Sequence, residues 1–213
     1  MKKFILFVAL FCFAIGASAQ GKIVTYKYAY IWAQANRSAA TKGSAFSSKD
    51  GQTYSLMNVI KRASPKAIDI LCAYGKIGKK AEAGFCLFSP MDPDIEVNWD
   101  KTSGTIPYRY FEAPASDASG QSSLEKWSLR NATKIMVVTD VDFDNATYDS
   151  IAALEIDDSY MAKNIEIGTI IAFETAATSA NPNKKGLIKI TKINDDERDD
   201  KAGHAGDIQC KSG

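Results

Sequence analysis

Between Val24 and Trp32 the large residues fall at every second position: Val24, Tyr26, Tyr28, Tyr30 and Trp32. A period of two belongs to a strand, whose successive side chains point to opposite faces. The same period returns near the C-terminus, where Ile188 and Ile190 alternate with Lys189 and Thr191 across residues 186–193. Two well-separated segments that both read as half-buried strands commit the chain to a sheet. Residues 68–74, 84–88 and 134–139 read as further strands, and residues 206–211 as the last. Ile165, Ile167, Ile171 and Phe173 are expected to share one face.

Helical spacing is confined to short stretches. Ser55 precedes Leu56, Val59, Ile60 and Ala63, which lie on one side at intervals of three and four until Pro65 stops the pattern. Ser122 or Ser123 is expected to cap a second helix through Arg130. A third is expected over residues 145–154, with Asp144 as its cap. Residues 89–122 are the least regular and hold Pro90, Pro93, Pro107 and Pro114; short strands over 95–99 and 108–111 are the expectation there. The fold class is therefore α+β, a mainly antiparallel sheet with about three short helices in a single compact module. A division into two subdomains meeting near residues 115–122 stays open.

The N-terminus carries an address. Lys2 and Lys3 precede an uncharged apolar run from Phe4 to Ile15, and Ala17-Ser18-Ala19 is an A-x-A cleavage pattern. The run is too short to span a membrane, which takes roughly 20 apolar residues. Residues 1–19 are thus expected to be a signal peptide, with residues 20–213 as the exported domain in the periplasm, at the cell surface or outside the cell. Removing Lys2 and Lys3 from 26 basic and 25 acidic residues leaves the mature chain near neutral. That balance argues against nucleic acid as a partner, and no second long apolar stretch remains to cross a membrane.

Export makes a disulfide permissible. If a hairpin turns around Lys79, Cys72 and Cys86 lie directly opposite each other. They then read equally as a bonded pair or as two small buried hydrophobes. Cys210 leaves the count odd.

The most chemical-looking stretch is Asp140, Asp142 and Asp144, whose carboxylates share a face in an extended chain. With Asp149 nearby they form a calcium ligand set, although Asn145 and Ile151 stand where a calcium loop has its glycine and bidentate glutamate. The competing reading is a solvated strand end. Calcium is the only cofactor that the sequence brings into question. Tyr26, Tyr28, Tyr30 and Trp32 read either as one wall of the core or as a platform for a sugar or peptide.

Catalytic signatures are absent from the sequence. His204 is the only histidine and sits among glycines, a poor scaffold for a histidine-based nucleophile. No phosphate-binding glycine loop or nucleophile elbow occurs. A carboxylate pair for glycoside hydrolysis stays open.

Four segments carry a resemblance: residues 46–56 (FSSKDGQTYSL), 67–75 (AIDILCAYG), 168–176 (GTIIAFETA) and 186–193 (GLIKITKI). Through them the chain resembles uncharacterised secreted proteins of Bacteroidetes, a family of unknown function. The resemblance implies residence in the periplasm or at the surface and transfers no site residue. The expected function is an exported, non-catalytic binding or interaction module, its partner a glycan or envelope protein. A secreted glycan-directed hydrolase using paired carboxylates and a structural subunit of a surface assembly are the alternatives.

Overall fold

The computed structural model describes residues 22–32, 43–76, 83–91, 111, 113–194 and 205–212, with the backbone alone at residues 28, 74–76, 83–84, 194 and 205–209. The segment 1–19, the expected strands over 95–99 and 108–111 (Phe111 apart) and His204 lie outside these residues. Among the described residues ten strands form two five-stranded sheets. The first holds, in spatial order, β1 (Val24–Trp32), β10 (Ala205–Ser212), β9 (Lys185–Asn194), β8 (Ile170–Glu174) and β6 (Lys134–Val138). The second holds β3 (Thr53–Tyr54), β2 (Ala45–Phe46), β4 (Ile70–Lys76), β5 (Ala83–Phe88) and β7 (Met161–Ala162). Every strand pairing within a sheet is antiparallel. Among the described residues no helix is long and apolar enough to cross a membrane.

The sheets enclose one apolar interior. Ile31 from β1, Phe46 from β2, Ile70 and Cys72 from β4, Phe85 and Leu87 from β5, Ile135 from β6, Phe173 from β8, Ile188 and Ile190 from β9 and Cys210 from β10 all belong to it. Two seams bring the sheets together. At one, Trp32 N donates to Gly43 O at 2.9 Å and Thr53 Oγ1 donates to Tyr30 O at 2.7 Å, tying β1 to the β2–β3 edge. At the other, Ile135 makes a parallel bridge with Tyr160, and Ile135 N donates to Ser159 O at 2.7 Å beside β7. The result is a flattened, nearly closed barrel filled by side chains. These contacts cover part of each end strand, as closure of a sheet does for its edges.

Each sheet is also apolar on its outer face, so two further layers cover it. Ala45, Leu71, Ala73, Cys86 and Phe88 of the second sheet pack under α1 (Leu56–Lys61) and the 113–127 segment, through Leu56, Val59, Leu124 and Trp127. This burial on both faces is why residues 70–73 and 85–88 are unbroken apolar runs. Ala172 and Leu187 of the first sheet lie under Phe143, Ile151 and Ile156, from the segment that carries α2 (Tyr148–Ala152).

The helices are fewer and shorter than expected. Ser55 caps α1 by accepting from Asn58 N, as its position predicts, but Ile60 is 40% exposed rather than inward. The segment after Ser123 is a single 3-10 turn, Leu124–Lys126, because Trp127 turns extended (φ −64°, ψ 128°) and buries its ring. Thr147, not Asp144, caps α2: its hydroxyl accepts from Ser150 N while Ser150 Oγ accepts from Thr147 N. Ile167 is 63% exposed, since Gly168 (φ +91°) turns the chain before β8 begins. Ile171 and Phe173 do face the interior.

Two registers decide the site readings. In β1 a bulge lies between Tyr26 and Ala29, and an extra residue flips which side chains point inward. Tyr26 packs against the interior, whereas beyond the bulge Ala29 and Ile31 do. The aromatic stripe is therefore split between two faces. In the β4–β5 hairpin, Cys72 pairs with Leu87 and Ala73 with Cys86. This register is one residue away from a Cys72–Cys86 pairing, and one residue is enough to change faces. Cys72 points into the barrel and Cys86 into the outer layer, where the thiol of Cys86 donates to Ala73 O at 3.3 Å. Of the two readings, the structure shows two small buried thiols, on opposite faces, rather than the bonded pair, and Cys210 is a third.

Candidate functional site

The β1–β3 seam collects the aromatic residues singled out by the sequence. Tyr26 lies on the inner side of β1, its ring against the turn joining β2 to β3. A Cβ on Gly51 would stand 2.2 Å from that ring, and Gly51 has φ +67°. Only glycine meets both conditions without strain. The Tyr26 hydroxyl donates to Lys49 O at 2.8 Å, and burial, then the neighbouring Cys210 and Asp50, push its phenol up. Tyr54 closes the other side of the turn by donating to Asp50 Oδ2 at 2.7 Å. That hydrogen bond, with burial second, pushes the Tyr54 phenol up to about 12.

Past the bulge, Tyr30 and Trp32 turn outward. Tyr30 is 39% exposed and Trp32 half-buried. Their rings meet edge to face at 5.6 Å and 60°, a favoured aromatic geometry. The side chain of Tyr28 lies outside the described atoms. The structure thus separates the four candidates: Tyr26 is a packing residue, and Tyr30 with Trp32 form a surface pair.

The aspartates do not converge. Asp142 folds back on its own turn, accepting from Asp144 N at 3.0 Å, Asn145 N at 3.2 Å and Asn145 Nδ2 at 2.7 Å. These bonds, the Asn145 side chain's first, hold its carboxyl below the usual range. Asp144 pairs with Lys189 at 2.9 Å. Lys211 Nζ donates to Phe143 O at 2.7 Å and Asp144 O at 3.0 Å, and both ammonium groups lie over the Phe143 ring. Lysines of β9 and β10 thus engage the Asp144 carboxylate and the Phe143 and Asp144 carbonyls, while Asp142 is taken up by its own turn. Asp140 and Asp149 are exposed. Among the described residues no group of three or more His, Cys, Asp or Glu is placed to hold a metal ion, so the expected set Asp140, Asp142, Asp144 and Asp149 is not assembled.

The structure also contains a polar knot that sequence reasoning missed. Asp69, fully buried, accepts from Ser48 N at 3.0 Å, Ser48 Oγ at 2.6 Å and Ser179 Oγ at 2.6 Å. Asn131, equally buried, donates to Lys66 O at 2.9 Å and Ile68 O at 2.8 Å, while Thr178 donates to its Oδ1 at 3.0 Å. Burial pushes the Asp69 carboxyl up, and the Ser179 and Ser48 bonds offset only part of that. The knot fastens the 47–52 turn, residue 131 and the 175–184 loop to one another. Its only trace in the sequence is a lone carboxylate between Ile68 and Ile70; its partners are remote in the chain. No protein-family model, no characterised protein and no solved structure matches this chain.

Proposed function

We propose that the chain is exported, loses residues 1–19, and works as a non-catalytic binding module whose contact surface is the Tyr30–Trp32 face of β1. One observation carries the reading. On β1 the hydrogen bonds that close this seam use main-chain atoms, Trp32 N donating to Gly43 O and Tyr30 O accepting from Thr53 Oγ1, while the two rings meet as an edge-to-face pair. Aromatic faces of this kind pack on the C–H faces of sugar rings and on apolar side chains. The ligand class is therefore a glycan or a segment of envelope protein.

The alternatives draw less support. Glycoside hydrolysis needs two carboxylates flanking a substrate. Asp69 faces its own hydroxyl and amide partners, and Asp50 is engaged by Gln52 N and Tyr54. Assembly by strand addition needs an open edge, and both end strands of the first sheet meet the second sheet.

The test is a glycan array and an envelope-extract pull-down probed with mature protein, wild type beside a Tyr30→Ala/Trp32→Ala variant. Retention of wild type on a defined glycan or peptide, weakened at least about tenfold in the variant, supports the reading. Equal retention of both proteins, or release of cleaved sugar, overturns it. Intact mass of the exported protein checks the address, with Gln20 as the expected first residue.

A further inference from the structure

A pocket of about 180 Å³ lies where α2 meets the turn between β8 and β9, lined by Tyr148, Ile151, Ala152, Asn183, Lys184 and Lys185. It shares no residue with the Tyr30–Trp32 face. Its lining holds two cationic side chains and no carboxylate. The two lysines differ in what they already do. Lys185 Nζ donates to Ala152 O at 3.1 Å and Leu154 O at 2.6 Å, so its ammonium serves the carbonyl end of α2, where a cation is favoured. Lys184 has no such employment: among the described residues no carboxylate pairs with its side chain. The acids closest in the chain or the register are Asp149 on α2 and Glu174, which pairs with Lys185 across the strands; neither lines the pocket.

The walls are fixed before any ligand arrives. Thr175 N donates to Lys184 O at 2.9 Å, and Lys184 N donates to Thr175 Oγ1 at 2.8 Å. The same loop is anchored to the polar knot through Ser179 on Asp69 and Thr178 on Asn131. On the facing wall, the reciprocal Thr147–Ser150 cap fixes the first turn of α2 and so the backbone of Tyr148. Walls built this way spare a ligand the cost of ordering them.

We infer that this pocket binds a compact carboxylate-bearing ligand, with an acidic sugar as the class that fits it best. The Lys184 ammonium supplies the charge, the Tyr148 hydroxyl and Asn183 carboxamide supply neutral hydrogen bonds, and Ile151 with Ala152 offers an apolar floor for a ring's C–H face. The volume lies below the roughly 300–1,000 Å³ of pockets for larger ligands, which limits the occupant to one ring or a small acid.

Amide chemical-shift titration of the mature protein with sodium glucuronate, sodium acetate and glucose tests the site. Glucuronate is expected to move the resonances of residues 148–152 and 183–185, and glucose to leave them in place. Lys184→Ala should weaken glucuronate about tenfold, the loss of one charge-assisted hydrogen bond, and Lys184→Gln serves if the alanine variant fails to fold. Glucuronate binding tighter than acetate assigns the sugar ring a part; equal binding assigns the carboxylate alone. Silence with both anions, an unchanged response in both Lys184 variants, or glucose matching glucuronate overturns the inference.

Discussion

The two seams of the barrel close by different means. At the β6–β7 seam a main-chain bridge at Ile135 does the joining, and the nearby side-chain pair, Lys134 with Asp158 at 2.8 Å, sits at the surface. At the β1–β3 seam one closing bond is main chain to main chain and the other is donated by the Thr53 hydroxyl, and the region carries far more side-chain structure. Tyr26 lies over Gly51, Tyr54 holds Asp50, and the Asp69 knot anchors the 47–52 turn from inside. Beyond these stand the rings of Tyr30 and Trp32, residues that enter the closing bonds through the Tyr30 carbonyl and the Trp32 amide. The second seam shows how little closure requires; what exceeds that at the first seam is either bracing or function, and mutation can tell the two apart.

The largest effect is expected at the knot. Asp69→Ala leaves Ser48 N–H, Ser48 Oγ and Ser179 Oγ without their acceptor in a buried place, at a cost of about 3 kcal/mol, measured by chemical denaturation. Asp69→Asn keeps an acceptor and should cost less. The carboxyl's pKa is raised in the fold, so the protonated form is the one that folding favours. Its contribution is full below the unfolded value near 3.8 and is lost as pH climbs through the higher folded value. Relative to Asp69→Asn, the wild type should therefore lose stability as pH rises from that value toward neutrality. A wild type that gains on the variant over this range would contradict the burial argument.

Gly51→Ala comes next. The new Cβ meets the Tyr26 ring in a backbone conformation that disfavours it, for about 2 kcal/mol, and the Tyr26 ring should leave its place in the turn, visible as a shift of its aromatic resonances. Lys211→Met tests the aspartate loop. Losing the bonds to Phe143 O and Asp144 O should cost about 1 kcal/mol, and calcium should leave the melting temperature of wild type unchanged because the aspartates do not converge and Asp144 is already paired with Lys189. At the other seam, Lys134→Ala should be the mildest change, since exposed ion pairs contribute little.

The sequence made the strands legible because their apolar periods are local. The pairing of ends and the small interior features were not. The bulge in β1 leaves no mark in the run from Tyr26 to Ile31, yet it divides the aromatic stripe between two faces. The register of β4 against β5 differs by one residue from symmetry about Lys79, and that single step separates Cys72 from Cys86. Ser55 caps α1 as its chemistry predicts, but the helix ends at Lys61, short of Pro65, which opens a 3-10 turn of its own; Ile60 and Ile167 show that apolar spacing alone does not secure burial. The aspartate run advertised a cation site, but the deciding groups, Lys189 and Lys211, come from strands more than forty residues away. The Asp69 knot was hidden for the same reason, since Ser179 is 110 residues from Asp69.

The account turns on the Tyr30 and Trp32 rings contributing little to stability beside the main-chain bonds of the same residues, and the denaturant midpoint of Tyr30→Ala/Trp32→Ala measures that most directly. A loss of stability within about 1 kcal/mol, as for surface side chains, is the predicted result. A loss of about 3 kcal/mol or more, as for deleted core aromatics, would make the pair part of the barrel's closure and leave the proposed binding face without its foundation.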